Sequence, residues 1–347
     1  MDFGGGDEIR FERQGRAGVV TLSRPQALNA VTHAMVKALA KALDAWDADP
    51  SVHAVVIRAE GRAFSAGGDI QHIYDAGKAG NPPIDFFADE YRLNARIARF
   101  SKPYVALIDG IVMGGGVGVS FHGSHRVMTE NAVFAMPEVG IGFFPDVGAS
   151  HFLPRLKGSF GRYLGLTGVR IRRGDALWSG LATHAVDAAS LPAILESIIE
   201  TGAPATALKD HALQAAREID EAATHAIHRH FSVGRLEMLL ESLSGAASSE
   251  PFVAATLQTL KTRSPTSLHV AFKQIEAGAM LTMDECMRLE FRILTRMLAG
   301  HDFYEGIRAA IIDKGDTPRW RPATLDDVDA VEVEAYFAPL KNGELTL

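Results

Sequence analysis

Short runs of apolar, β-branched residues alternate with amphipathic stretches through the first half of the chain. Residues 18–23, 54–57 and 104–108 have the composition of buried strands. Between the first two runs, Thr32 is placed to cap a helix whose apolar residues recur at helical spacing. This alternation of strands and helices predicts an α/β architecture with a mostly parallel central sheet.

The pattern changes after about residue 187, where strand signals end and helical stretches follow one another. The chain is therefore expected to comprise an α/β core over residues 1–190 and a helical region over residues 191–347, which covers the site or mediates assembly. Helices are predicted at residues 191–200, 211–230, 234–243, 266–276, 283–298 and 303–313.

Composition excludes several classes of protein. The net charge is −7 and the chain has no long Lys/Arg run, which argues against binding to nucleic acid. Cys286 is the only cysteine, so an internal disulfide and a cysteine-based metal site are excluded, and its apolar helical surroundings predict a core position. No stretch reaches the roughly 20 apolar residues of a membrane span, and the first residues resemble neither a secretory signal nor a transit peptide. We expect a cytoplasmic protein.

Two glycine-rich segments, residues 61–70 and 109–118, each follow an apolar strand. Glycines at a strand-to-helix turn leave backbone N–H groups open to a ligand, and two such groups at one point can stabilise a developing oxyanion. Taken singly, each segment fits a tight structural turn better than a binding site. Neither has the Gly-x-Gly-x-x-Gly spacing of a dinucleotide site.

Together with residues 24–30 and 136–138, these segments resemble the successive motifs of the enoyl-CoA hydratase/isomerase (crotonase) family. The resemblance implies a ClpP-like spiral of β-β-α turns with a helical C-terminal region. It implies that the N–H groups of Gly68 and Gly115 bind the acyl-CoA carbonyl and that the Ala66 carbonyl accepts a hydrogen bond from the adenine amino group. It implies no metal and no cofactor beyond the CoA carried by the substrate. The expected CoA-binding residues are Arg24, Ala27, Leu28, Ala66, Gly67, Gly68, Asp69 and Ile70.

One position departs from the family pattern. A hydratase of this family carries two catalytic glutamates, one of them three residues after the second oxyanion glycine. Here that position is Gly118, whereas the other glutamate is retained as Glu138. Hydration by a pair of acid–base groups is therefore disfavoured.

Residues 89–94, 136–146, 263–268, 303–309, 312–314 and 318–322 resemble the branch of the family that hydrolyses short 3-hydroxyacyl-CoA thioesters during valine degradation. This likeness implies that Glu138 attacks the carbonyl or activates a water molecule. It also implies that Asp146 orients the substrate hydroxyl or the water, and that Glu90 and Gly115 contact the substrate. Several carboxylates in one apolar pocket should raise at least one pKa. The C-terminal helices of the family can build trimers, so self-association stays open.

Other interpretations stay open as well. Glu138 alone fits an ordinary loop acid, Asp146 a turn or cap residue, and Glu90 a solvated or capping residue, while Asp69 fits a helix cap better than a reactive group. As functions, a crotonase isomerase or lyase using one carboxylate and a non-catalytic acyl-CoA-binding protein are the alternatives to a hydrolase.

Overall fold

The computed structural model describes all 347 residues, and the chain divides into two compact units. Unit 1 contains residues 1–69, 85–134 and 170–218. Unit 2 contains residues 70–84, 135–169 and 219–347. The two units do not coincide with the predicted regions 1–190 and 191–347. That domain division stays a prediction.

The strands form two sheets. The six-stranded sheet has the order β1-β2-β3-β5-β7-β10 and is parallel except for the β1–β2 pair, while the four-stranded sheet has the order β4-β6-β8-β9. The strands are β1 (Ile9–Gln14), β2 (Ala17–Leu22), β3 (Ala54–Ala59), β4 (Ala63–Ser65), β5 (Tyr104–Ile108), β6 (Ile111–Met113), β7 (His125–Met128), β8 (Val133–Ala135), β9 (Ile171–Arg172) and β10 (His184–Ala185).

Successive strands alternate between the sheets. β3, β5 and β7 belong to the large sheet, and each is followed by a strand of the small sheet, namely β4, β6 and β8. Each turn of the chain thus contributes one strand to each sheet before the next helix. This arrangement matches the predicted spiral of β-β-α turns.

Sixteen α-helices accompany the strands. They are α1 (His33–Ala48), α2 (Ile70–Lys78), α3 (Ile84–Ala98), α4 (Gly115–Gly118), α5 (Ala149–Phe152), α6 (Phe160–Thr167), α7 (Arg173–Ser179), α8 (Leu191–Thr201), α9 (Pro204–Lys209), α10 (Glu221–Phe231), α11 (Leu236–Ala246), α12 (Pro251–Lys261), α13 (Pro265–Gly278), α14 (Met283–Met297), α15 (Asp302–Ile307) and α16 (Ala330–Phe337). None is long and apolar enough to cross a membrane.

The core of unit 1 forms because the large sheet buries its apolar residues against helix α8. Val19, Val56 and Val105 from three neighbouring strands pack with Ile194 and Ile198 of α8, and all five are fully buried. Burying a side chain of this size contributes about 1.5–3 kcal/mol. The three strands predicted from the sequence are present, and Thr32 caps α1 by accepting a hydrogen bond from Met35 N at 3.3 Å.

Most helices predicted for the C-terminal half are present, with several differences. Residues 211–220 are not helical, and α10 begins only at Glu221, where the Asp220 side chain accepts a hydrogen bond from Ala223 N at 2.7 Å. Helices α9, α12 and α16 were not predicted, although Val253, Leu257 and Leu260 of α12 recur at helical spacing and are buried. Cys286 is fully buried in α14, as predicted.

Candidate active site

The segment expected to contact CoA is held in place by Asn29, in unit 1. Asn29 is fully buried with a φ of 54°, and its side chain donates to the carbonyls of Glu60 and Ala63, both at 2.8 Å. Ala66 N donates to the Leu28 carbonyl at 2.9 Å. Residues from the first expected CoA motif therefore lie directly beside the turn that carries the second.

Arg24 is the charged member of this group. Its guanidinium pairs with Asp69 at 2.9 Å and with Glu8 at 3.1 Å, while its side chain keeps 20% of its surface exposed. Asp69 was expected to cap a helix, and the structure gives its carboxylate this ion pair. Ala27 is half-buried in a short 3-10 helix, and Ile70 begins α2. Their contacts with CoA remain predictions.

In the first glycine-rich turn, the backbone N–H group of Gly68 does not hydrogen-bond to the adjacent Val31. Val31 N donates to the Gly67 carbonyl at 2.8 Å, and Asp69 N donates to the Val31 carbonyl at 3.3 Å. Because consecutive N–H groups point in opposite directions in an extended chain, the Gly68 N–H points away from Val31. Gly67 has a φ of 118°, which favours glycine at this position.

Gly115 supplies the second N–H group. It is the first residue of α4, so its N–H has no acceptor within the helix. A Cβ atom added to Gly115 would lie 3.4 Å from Gly68 N and 2.7 Å from the Oε1 atom of Glu90. The two amides therefore border the same small space, as an oxyanion hole requires, and a side chain at residue 115 would fill it.

Glu90 lies within α3 and is only 2% exposed. The interpretation of Glu90 as a solvated or capping residue is therefore wrong. One helical turn later, Asn94 is fully buried, and neither its amide nitrogen nor its amide oxygen has a hydrogen-bond partner in the protein. Asn94 was not predicted as a site residue, although two polar residues four apart on an apolar helix face were a usable signal.

Glu138 opens a 3-10 helix in unit 2 and is 6% exposed, so it is not an ordinary loop acid. Its Oε2 atom is buried and accepts no hydrogen bond from the protein. The loop is fixed by its backbone, because Phe143 N donates to the Glu138 carbonyl at 3.0 Å and Ser264 N donates to the Val139 carbonyl at 3.2 Å.

Residues of the C-terminal half support the same loop. The Arg263 guanidinium donates to the Thr167 carbonyl at 3.0 Å and lies against Gly140. The rings of Phe143 and Phe303 are 5.1 Å apart. The motifs at 263–268 and 303–309, which had no individual roles at the sequence level, thus include residues that pack against the segment carrying Glu138.

Asp146 is 5% exposed and lies in a tight turn. Its carbonyl accepts a hydrogen bond from Ala149 N at 2.9 Å, and the next two residues have positive φ angles, 50° at Val147 and 90° at Gly148. A β-branched residue rarely adopts such a backbone, so surrounding contacts must hold this turn.

Three buried carboxyl groups influence one another in unit 2. Burial, followed by the charge of Asp146, raises the pKa of Glu138 well above its ordinary value. Burial also raises the pKa of Glu290 to about 8, and the charge of Asp146 adds to that increase. The expected rise in at least one carboxyl pKa is confirmed. Glu290, on α14, was not identified from the sequence, because nothing local distinguishes it from other helical glutamates.

Comparisons with known proteins agree with these features. A model of the family described as Enoyl-CoA hydratase/isomerase matches residues 17–337. A Danio rerio protein named "3-hydroxyisobutyryl-CoA hydrolase, mitochondrial" is 43% identical, and the alignment covers 99% of this chain and 92% of that protein. The human protein of the same name is 40% identical, with 98% and 90% covered.

Two solved structures match almost throughout. A protein from Mycobacterium thermoresistibile, described as a carnitinyl-CoA dehydratase, has a TM-score of 0.92 and 40% identity over 98% of this chain and 99% of its own. A protein from Rhodobacter sphaeroides, described as an enoyl-CoA hydratase, has a TM-score of 0.91 and 40% identity over 98% and 100%. The predicted fold is confirmed.

Proposed function

This chain belongs to the enoyl-CoA hydratase/isomerase family, and from that premise we propose that it hydrolyses the thioester of 3-hydroxyisobutyryl-CoA and of similar short 3-hydroxyacyl-CoAs. The products are CoA and the free 3-hydroxy acid, and the reaction serves valine degradation. Vertebrate relatives at 40–43% identity carry the name of this activity.

The environment of Glu138 carries the proposal. Its carboxyl group is buried, one of its oxygens accepts no hydrogen bond, and the charge of Asp146 acts on it. Residue 118, where a hydratase has its other glutamate, is a buried glycine at the end of α4. One reactive carboxylate with a second carboxylate beside it suits attack on a thioester better than paired acid–base hydration.

The backbone amides of Gly68 and Gly115 bind the acyl oxygen. As a nucleophile adds to the carbonyl carbon, negative charge accumulates on this oxygen, and the two N–H groups stabilise it. Loss of one such donor typically raises the barrier by about 3–4 kcal/mol. Because both donors are main-chain groups fixed by glycine turns, they need no reorganisation during the reaction.

Glu138 opens the thioester by one of two routes. In the first, its carboxylate oxygen bonds to the acyl carbon, the carbon–sulfur bond breaks, CoA leaves as the thiolate and takes up a proton, and water then hydrolyses the anhydride. In the second, Glu138 removes a proton from a water molecule that attacks the same carbon. A single turnover in ¹⁸O-labelled water distinguishes them, since only the anhydride route can place label in the Glu138 carboxyl group.

Asp146 and Glu90 provide the remaining polar contacts. Asp146 orients the substrate 3-hydroxyl group or the attacking water, and Glu90, whose Oε1 lies beside Gly115, contacts the substrate near the bound acyl oxygen. Residues 24–28 and 66–70 bind the CoA portion. No cofactor is required, so we expect EDTA to leave the activity unchanged.

A lyase activity is the second candidate, because the solved relatives are described as a dehydratase and a hydratase. Removal or addition of water across a double bond changes the enoyl absorbance and leaves the thioester intact. The glycine at residue 118 argues against this activity, since it removes one of the two acid–base groups that the reaction uses in this family.

Thiol release tests the proposal against the alternative. Purified protein is incubated with 3-hydroxyisobutyryl-CoA, with the same acyl group lacking the 3-hydroxyl, and with a short enoyl-CoA, while free thiol and enoyl absorbance are followed. We expect rapid thiol release from the 3-hydroxy substrate. Activity that changes only the absorbance would establish a lyase instead, and the absence of any turnover would favour an acyl-CoA-binding protein.

The compartment and the oligomeric state are also proposals. We propose a cytoplasmic location, although the vertebrate relatives are named as mitochondrial proteins, and fractionation of cells expressing the native gene tests it. Self-association is tested by measuring the molar mass in solution.

A further inference from the structure

The Asp146 turn, residues 145–150, is held from both ends by two buried side chains of the C-terminal helices. At its end, Glu290 of α14 accepts hydrogen bonds from Gly148 N at 2.8 Å and from Ser150 N at 2.9 Å, and its Oε1 also accepts one from the Ser150 hydroxyl group. At its start, the Gln274 side chain of α13 donates to the Pro145 carbonyl. Glu290 and Gln274 are both completely buried.

Three features indicate that these contacts determine where Asp146 lies. The turn includes Val147 at a φ of 50°, a conformation that a β-branched residue does not keep without outside contacts. The α5 helix that follows has only four residues and no side-chain cap of its own. The two amides bonded by Glu290 belong to the N-cap residue and to the second residue of that helix, so the Glu290 carboxyl group replaces the missing cap with an acceptor from 140 residues further along the chain.

We propose that Glu290 is a positioning residue, with Gln274 as its counterpart, that fixes the Asp146 carboxylate for discrimination of the 3-hydroxyl group of the substrate. This inference rests on the proposed function. Glu290 touches no substrate in this scheme, and its effect on the reaction is transmitted through Asp146. Because Glu290 is buried, its pKa is raised to about 8.

The variant Glu290→Gln is nearly isosteric and tests the inference. An amide can present oxygen to only one side, so its NH₂ group faces either Gly148 N or Ser150 N and one hydrogen bond is lost. Since a displacement of about 1 Å can cost on the order of 100-fold in rate, we expect kcat for the 3-hydroxy substrate to fall about 10- to 100-fold. We expect little change in kcat for the acyl-CoA that lacks the hydroxyl group. The ratio of the two kcat values, which measures the selectivity, should therefore decrease.

A double-mutant cycle with Asp146→Asn separates positioning from general damage. If Glu290 acts through Asp146, Glu290→Gln should cost little further activity once Asp146 has been replaced. Additive losses, or equal losses on both substrates, would overturn the inference. The matched control is Glu285→Gln on the same helix, where the carboxylate forms a capping box with Thr282 and has no contact with the turn. We expect this control to retain the wild-type selectivity.

Two further measurements guard against a variant that fails to fold or a wild-type protein without hydrolase activity. Gln274→Met removes the donor at the other end of the turn and should narrow the selectivity in the same direction. Hydrogen exchange of peptides covering residues 145–152 needs no substrate, and Glu290→Gln should exchange at least about tenfold faster there while Glu285→Gln does not. Unchanged exchange overturns the positioning role. Failure of the wild-type protein to release thiol overturns only the proposed function, and faster exchange would still support the hold on the Asp146 turn.

Discussion

The two units contribute to the proposed chemistry by different physical means. Unit 1 contributes main-chain N–H groups of Gly68 and Gly115, which are fixed by backbone hydrogen bonds and glycine turns. Unit 2 contributes the side chains of Glu138 and Asp146, and the pKa of Glu138 is raised by burial and by the charges of Asp146 and Glu290. The proposed oxyanion hole therefore depends on backbone geometry, whereas the raised pKa of Glu138 depends on burial and on neighbouring charges.

This comparison teaches which changes each unit tolerates. A main-chain donor survives most substitutions that keep the backbone and is lost when a side chain fills the space. A buried carboxyl group depends on its neighbours, and its pKa changes when a neighbouring charge is removed. The following predictions test this difference.

The largest effect is expected for Glu138→Gln, which removes the reactive carboxylate of unit 2 and keeps its shape. We expect kcat for thiol release to fall by about 10³-fold or more, because general-base or nucleophilic action is lost. Thermal stability should not decrease, since a buried carboxyl group is replaced by a neutral amide. The exposed Glu241 of α11 provides the control, and Glu241→Gln should retain wild-type activity. Substantial activity in Glu138→Gln would remove Glu138 from the mechanism.

Gly115→Ala tests the hole of unit 1 by steric means. The added methyl group would lie 2.7 Å from Glu90 Oε1 and 3.4 Å from Gly68 N, in the space proposed for the acyl oxygen. We expect kcat to fall about 10²- to 10³-fold, the range typical of losing an oxyanion donor. As a control, Gly245→Ala adds a methyl group in open space on α11 and should leave the kinetics unchanged. Equal activity of the two variants would contradict the proposed hole.

Asp146→Asn tests the electrostatic coupling within unit 2. The activity requires ionised Glu138, so kcat/KM should rise as the pH increases through the raised pKa of that group. Removal of the Asp146 charge lowers that pKa, and the acid limb of the profile should therefore move to lower pH even though the maximal rate falls. Rates measured from pH 4 to pH 9 in a constant-ionic-strength buffer check this. An acid limb that stays in place would mean that the two carboxyl groups are not coupled.

The smallest effect concerns stability as a function of pH. Because Glu290 has a pKa of about 8 in the folded protein against an ordinary 4.5, the native state binds more protons between these values. The stability associated with neutral Glu290 is fully present below pH 4.5 and is lost as the pH rises through about 8. The free energy of unfolding, measured by chemical denaturation at several pH values, should depend less steeply on pH for Glu290→Gln than for the wild type. Glu285→Gln should keep the wild-type slope over this range, since the pKa of Glu285 is lowered and the group stays ionised.

The sequence was sufficient for the parts of the protein that depend on local pattern. The strand at residues 104–108, the Thr32 cap and the glycine turns follow from apolar period, capping chemistry and backbone freedom. The helix over 211–230 was predicted too long, because helix-favouring residues at 211–220 are overridden by tertiary structure. His230 is buried in α10 and contacts the Ser242 hydroxyl group at 2.7 Å, which nothing in its local sequence indicates.

Only part of the group of buried carboxyl groups formed by Glu138, Asp146 and Glu290 could be predicted from local sequence. Glu138 and Asp146 were identified from short motifs, but nothing near them in sequence indicates Glu290, Gln274 or the packing of Arg263 against Gly140. These contacts join residues more than 100 positions apart and depend on how the helices pack. A single sequence records them only as ordinary helical residues.

The hydrogen bonds between Glu290 and the Asp146 turn also bear on how the protein is made. During synthesis, every motif up to residue 146 leaves the ribosome long before the glutamate that holds the turn has been translated. A nascent chain or a prematurely terminated product can thus carry the whole reactive signature while the Asp146 turn lacks its main acceptor. Completion of the C-terminal helices is, on this basis, the event that turns a recognisable sequence into a working enzyme.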